Sequence, residues 1–180
     1  MRRDLESTDP STVFRFQFEC ATCGEVHEGM PAFGFDYPLP YLRIPENERS
    51  ERVSLTSDAC IIDETEFYIR ARLEIPVHGF EEPMSWGVWV SLSPANFARF
   101  EELFNEPGRE AHGPWFGWLC SSLPCYPDPY LLKTRVHLQP VPMRPLVELE
   151  PTGHPLAVEQ REGITESRAR QIVEAVLHPE

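Results

Sequence analysis

Glu66-Phe-Tyr-Ile-Arg-Ala-Arg-Leu-Glu-Ile-Pro76 and, after a short gap, Met84-Ser-Trp-Gly-Val-Trp-Val-Ser-Leu92 decide the fold. In the first run Phe67, Ile69, Ala71, Leu73 and Ile75 alternate with Glu66, Tyr68, Arg70, Arg72 and Glu74. In the second, Met84, Trp86, Val88, Val90 and Leu92 face one way, and Ser85, Gly87, Trp89 and Ser91 the other. A period of two belongs to strands with one buried face. His78-Gly-Phe-Glu-Glu-Pro83 between them supplies a turn, so the two runs form an antiparallel hairpin. Arg70 and Arg72 then stand near Trp89 on the outer face, where a cation–π contact is expected.

Working outward, Ser93-Pro94 starts a helix, with serine as N-cap and proline at the first helical position. Phe97, Phe100, Leu103 and Phe104 form its apolar stripe, and Pro107-Gly108 stops it. Upstream, Phe14, Phe16 and Phe18 alternate with polar residues as in a half-buried strand, and Val53–Thr56 reads as another. The Pro- and aromatic-rich segment 31–50 reads as a loop packed down by its rings. Downstream, Trp115–Leu119 and 131–139 read as strands. Pro140, Pro142 and Pro145 make the next stretch of chain a sheet edge or an extended arm. A helix near 165–177, capped by Thr165, closes the chain. The expected fold is α+β: an antiparallel sheet, two main helices, long Pro-rich loops and a Cys-x-x-Cys-Gly turn near the N-terminus.

The chain has 180 residues, which suits one domain over 13–180 behind a flexible stretch at 1–12. Acidic residues outnumber basic ones 29 to 16, for a formal charge of −13. That surface repels phosphate backbones, so nucleic acid is disfavoured, and a basic protein partner is favoured. No apolar stretch reaches the roughly 18–20 residues of a membrane span. Met-Arg-Arg-Asp-Leu-Glu lacks an apolar signal core, so a cytoplasmic protein is expected. Five cysteines without a signal peptide read as thiols or ligands and not as bridges.

Chemistry concentrates at Cys20-Ala-Thr-Cys23-Gly24-Glu-Val-His27. Two thiols three residues apart in a tight turn can place both sulfurs on one zinc ion, and glycine relieves crowding behind the second. Further ligands come from His27, Cys60, His78, Cys120 or Cys125, with Cys60 the first choice and His27 the next. Redox use of the pair is the weaker reading. Gly24-Glu25-Val-His27-Glu28-Gly29 is a poor helix start, and its carboxylates raise a thiol pKa. No P-loop, G-x-S-x-G or dinucleotide fingerprint occurs, and adjacent pairs such as Asp63-Glu64 or Glu81-Glu82 read as solvated carboxylates.

These pieces resemble the bacterial DUF2199 family, whose function is unknown. The likeness rests on Cys20-Ala-Thr-Cys-Gly24, Ser57-Asp-Ala-Cys60, Phe67–Pro76, Trp86-Gly-Val-Trp-Val-Ser-Leu-Ser93, Phe116-Gly-Trp-Leu119 and Arg144-Pro145 through His154-Pro-Leu156. It implies a single compact bacterial domain and no particular activity, and it draws Cys20, Cys23 and Cys60 into one pattern.

The resulting expectation is a non-enzymatic protein-binding module stapled by zinc through Cys20, Cys23, Cys60 and His27. A second expectation is an enzyme or small-ligand protein with a pocket framed by Arg70, Arg72, Trp86, Trp89 and Trp118. A third is an acidic inhibitor of a basic toxin or nuclease, of the immunity-protein kind.

Overall fold

A computed structural model describes residues 15–179, so the expectations for 1–12 and for Phe14 lie outside the described residues. β1 (Gln17–Glu19) and β2 (Val26–Glu28) pair antiparallel as a small separate sheet. β3 (Ala32–Gly34), the one-turn α1 (Arg49–Arg52), β4 (Val53–Leu55) and β5 (Ala59–Ile62) come after it. Next are β6 (Glu66–Ile75), β7 (Met84–Leu92), α2 (Pro94–Glu102), β8 (Trp115–Trp118) and β9 (Lys133–His137). β10 (Leu146–Leu149), α3 (Pro155–Glu162) and α4 (Glu166–Leu177) complete the order.

β6 and β7 form the expected hairpin, with Phe67 opposite Leu92, Ala71 opposite Val88 and Ile75 opposite Met84. It is the spine of an eight-stranded sheet in the order β3-β7-β6-β10-β9-β8, with β5 also on β6 and β4 on β5. The sheet is mixed, not purely antiparallel, because β3 runs parallel to β7 and β10 parallel to β6. β3 lies inside the segment read as a loop; three residues among prolines are too few to display a period. β10 is interior, not an edge or arm. The prolines end at Pro145, whose carbonyl accepts from the Arg72 N–H at 2.8 Å and needs no N–H of its own.

The sheet curls back on itself. Leu119, just past β8, bridges Val90 of β7, and the Cys120 N–H donates to the Trp89 carbonyl at 2.8 Å. Gly117 permits this approach, since a Cβ there would lie 2.4 Å from the Ser91 carbonyl oxygen. Ile69, Leu73, Met84, Trp86, Val90, Leu119, Val136 and Val147 fill the interior. Each such side chain contributes about 1.5–3 kcal/mol on burial.

Three helices of eight or more residues cover this core where two were expected. Ser93 Oγ accepts from the Asn96 N–H at the start of α2, and Thr165 Oγ1 from the Arg168 N–H at the start of α4. α3 starts where His154 Nδ1 accepts from the Leu156 N–H at 3.1 Å. Phe97 and Phe100 of α2, Leu156 of α3, and Ala169, Ile172 and Val173 of α4 are buried against the sheet. A second, smaller core of Ile44, Cys60, Ile62, Tyr68, Trp89 and Cys120 covers part of the outer face.

Candidate metal centre

The β1–β2 hairpin reverses at Cys20–Gly24. The Gly24 N–H donates to the Cys20 carbonyl at 2.9 Å, and the Cys20 N–H to the Glu25 carbonyl at 2.8 Å. Gly24 has φ of 73°, a left-handed conformation that glycine adopts without strain. The turn aims backbone N–H groups at sulfur. Hydrogen bonds from the Cys23 and Thr22 amides, then from the Cys23 and His27 side chains, draw the Cys20 thiol down to about 6 against the opposing effect of burial. That shift favours the thiolate, the ligating form, at Cys20, while at Cys23 the backbone hydrogen bond at Glu25 is outweighed by burial and the adjacent Cys20 sulfur, which shift that thiol upwards.

Phe18 holds the His27 ring at a centroid distance of 5.5 Å, and Nε2 of His27 lies 3.6 Å from the Cys23 sulfur. The fourth member arrives from the far end of the chain. α4 buries Ala169, Ile172 and Val173, and Arg170 lies over the Phe18 ring, so the helix end falls beside the turn. There His178 joins Cys20, Cys23 and His27: one donor atom from each, all within 4.8 Å of one another. Nε2 of His178 is buried and has no hydrogen-bond partner among the described residues.

This donor set can hold a metal ion. A tetrahedron with metal–sulfur bonds near 2.3 Å and metal–nitrogen bonds near 2.0–2.1 Å has a sulfur–nitrogen edge of about 3.6 Å. The Cys23–His27 separation has that length.

Cys60 is not part of the cluster. It lies on β5 opposite Tyr68, fully buried in the second core, where burial pushes its thiol up to about 12. His178 takes the place expected for Cys60. Cys120 is in that same second core, its thiol likewise raised to about 12 chiefly by burial. Cys125 is exposed, and His78 Nε2 lies 2.9 Å from the Glu162 carbonyl oxygen. His178 carried no spacing signal. Its clue was its position one turn beyond Glu174 at the end of an amphipathic helix.

The five residues expected to frame a pocket do not do so together. Trp86 and Trp89 are 1% and 0% exposed and pack into different core clusters, because the second core covers the face on which Trp89 was expected to be open. Trp118 projects outwards, edge-on to Phe116. Arg70 stands opposite Trp89 in register, yet the cation–π pairs among the described residues are Arg49–Tyr41, Arg168–Tyr126 and Arg170–Phe18.

The fold and site define an α+β protein in which the β1–β2 hairpin and the end of α4 meet at a Cys2His2 donor cluster. The chain belongs to the DUF2199 family, described as an uncharacterized protein conserved in bacteria, whose family model matches residues 19–164. Cys20, Cys23 and His27 fall within that match and His178 beyond it. No curated protein and no solved structure matches the chain. Among the described residues no helix is long and apolar enough to cross a membrane.

Proposed function

We propose that Cys20, Cys23, His27 and His178 bind one zinc ion as a closed structural site, in a cytosolic, non-enzymatic module that binds a basic protein partner. The observation that carries the metal is the buried, unpartnered Nε2 of His178 beside two sulfurs and a second imidazole. A buried polar atom without a partner is costly, and a cation removes that cost. Two thiolates and two imidazoles are a zinc donor set, and four protein ligands fill a tetrahedron without a position for substrate water. The charge of −13 supports a basic partner.

Protein purified without added zinc is expected to carry about one zinc per chain by elemental analysis, and Cys20→Ser to lose it. Metal-free wild-type protein that also fails to take up zinc on titration would overturn the staple. Pull-down should recover a single stoichiometric basic protein whose binding weakens with salt; salt-independent capture speaks against the charge argument.

A further inference from the structure

A cleft that shares no residue with the metal cluster lies where Asp58, just before β5, meets the segment before β10 and the chain after α2. A cavity of about 400 Å³ is lined by Asp58, Arg72, Phe104, Pro142, Met143 and Arg144. A recess of about 80 Å³ shares five of those residues and reaches Arg109. Three guanidinium groups, of Arg72, Arg109 and Arg144, gather here in a chain whose formal charge is −13.

Arg109 is 4% exposed and donates to the carbonyls of Phe104, Gln139 and Met143, so its buried charge faces peptide dipoles and not a carboxylate. Arg144 donates to Asp58 through Nε at 2.7 Å. Arg72 lies 3.0 Å from Glu74, but its Nε is buried with no partner among the described residues, as is that of the neighbouring Arg70. Arg70 rests across the sheet in space left by glycine: a Cβ on Gly34 would come within 2.7 Å of its Nη2. Among the described residues donors therefore exceed acceptors, with Asp58 and Glu74 the carboxylates on hand. The facing wall is apolar and open, since Phe104 is 39% and Met143 42% exposed.

We propose that this cleft binds a small anion bearing an apolar group, a carboxylate or phosphate monoester, with its oxygens on Arg72 and Arg144 and its apolar part against Phe104 and Met143. Guanidinium pairs with both kinds of oxyanion in the same forked geometry, and a mostly apolar concavity with a few convergent polar groups suits a small molecule.

Calorimetric titration with phenyl phosphate, benzoate, inorganic phosphate and benzyl alcohol tests this. Saturable binding of phenyl phosphate or benzoate is expected, and the tighter of the two names the headgroup. Arg72→Gln should weaken that binding at least about tenfold, with the thermal unfolding midpoint and zinc content unchanged. Phe104→Ala should weaken the aryl ligand and spare inorganic phosphate. Three results overturn the proposal: no saturable binding of either aryl anion, equal binding of benzyl alcohol, or undiminished binding by Arg72→Gln. The zinc content of these variants reports separately on the metal site, so the two readings fail independently.

Discussion

The backbone N–H of Ala21 donates to Oε1 of Glu174 at 2.9 Å, tying the turn between the two cysteines to the last turn of α4. The His178 N–H in turn donates to the Glu174 carbonyl at 2.9 Å, so one residue fixes both the turn and the backbone that presents the imidazole. Glu174 is not one of the four donors of the cluster. Glu174→Ala is expected to lower zinc affinity about 10- to 100-fold with all four donors intact, the usual effect of removing a group that orients ligands. Competition with a chromophoric chelator measures this, and an unchanged affinity would mean that the donors need no such support.

His178→Ala and Cys60→Ser separate the two candidate ligand sets. The first should lose tight zinc binding with little effect on the sheet. The second should keep its zinc but unfold more easily by about 1–3 kcal/mol, because a hydroxyl replaces a thiol among Ile44, Ile62, Tyr68 and Trp89. Zinc content and urea midpoints of both variants give the answer; the reverse pattern would restore Cys60 as a ligand.

Gly117→Ala tests the closure of the sheet. The added methyl would meet the Ser91 carbonyl oxygen at 2.4 Å and Thr134 Oγ1 at 3.2 Å, where neighbouring strands leave no room. A loss of about 1–3 kcal/mol is expected from such overpacking. A urea midpoint equal to that of the wild type would show that β8 can part from β7 at little cost.

Asp58 predicts a pH dependence. Burial pushes its carboxyl up, but hydrogen bonds from Arg144 and Ser57 and the nearby charge of Arg70 outweigh it and leave the group below its ordinary value of 3.8. A depressed carboxyl contributes stability that is complete above 3.8 and is lost as pH falls through the lower folded value. Asp58→Asn should therefore be less stable than wild type by about 1–2 kcal/mol at neutral pH, with the gap narrowing as the pH falls below 3.8. Denaturation at the two pH values checks it, and a gap that persists in acid would assign the effect to shape and not to charge.

Alternation made β6 and β7 legible because each buries one full face in the same core. What alternation does not reveal is whether the other face is covered too, and that misplaced Trp89, which the loop bearing Ile44 and the β5 strand enclose. Prolines at 140, 142 and 145 pointed to an edge, although only residues within a strand need their N–H groups, and β10 begins after the last of them. At the donor cluster the local part was readable: Cys20, Cys23 and His27 belong to one hairpin. The last donor was not, since a contact between the first hairpin and the far end of α4 depends on how α4 packs and leaves no mark in spacing.

A cation held at residues 20 and 178 would close all the chain between them, the large sheet included, into a ring. Ring closure removes conformations from the unfolded chain, and that effect grows with the logarithm of the length enclosed. A chelator would then act less on the large sheet than on its clasp, loosening the first hairpin and the last helix together, and a polyhistidine tag at the carboxyl end would compete for the ion from within the same molecule.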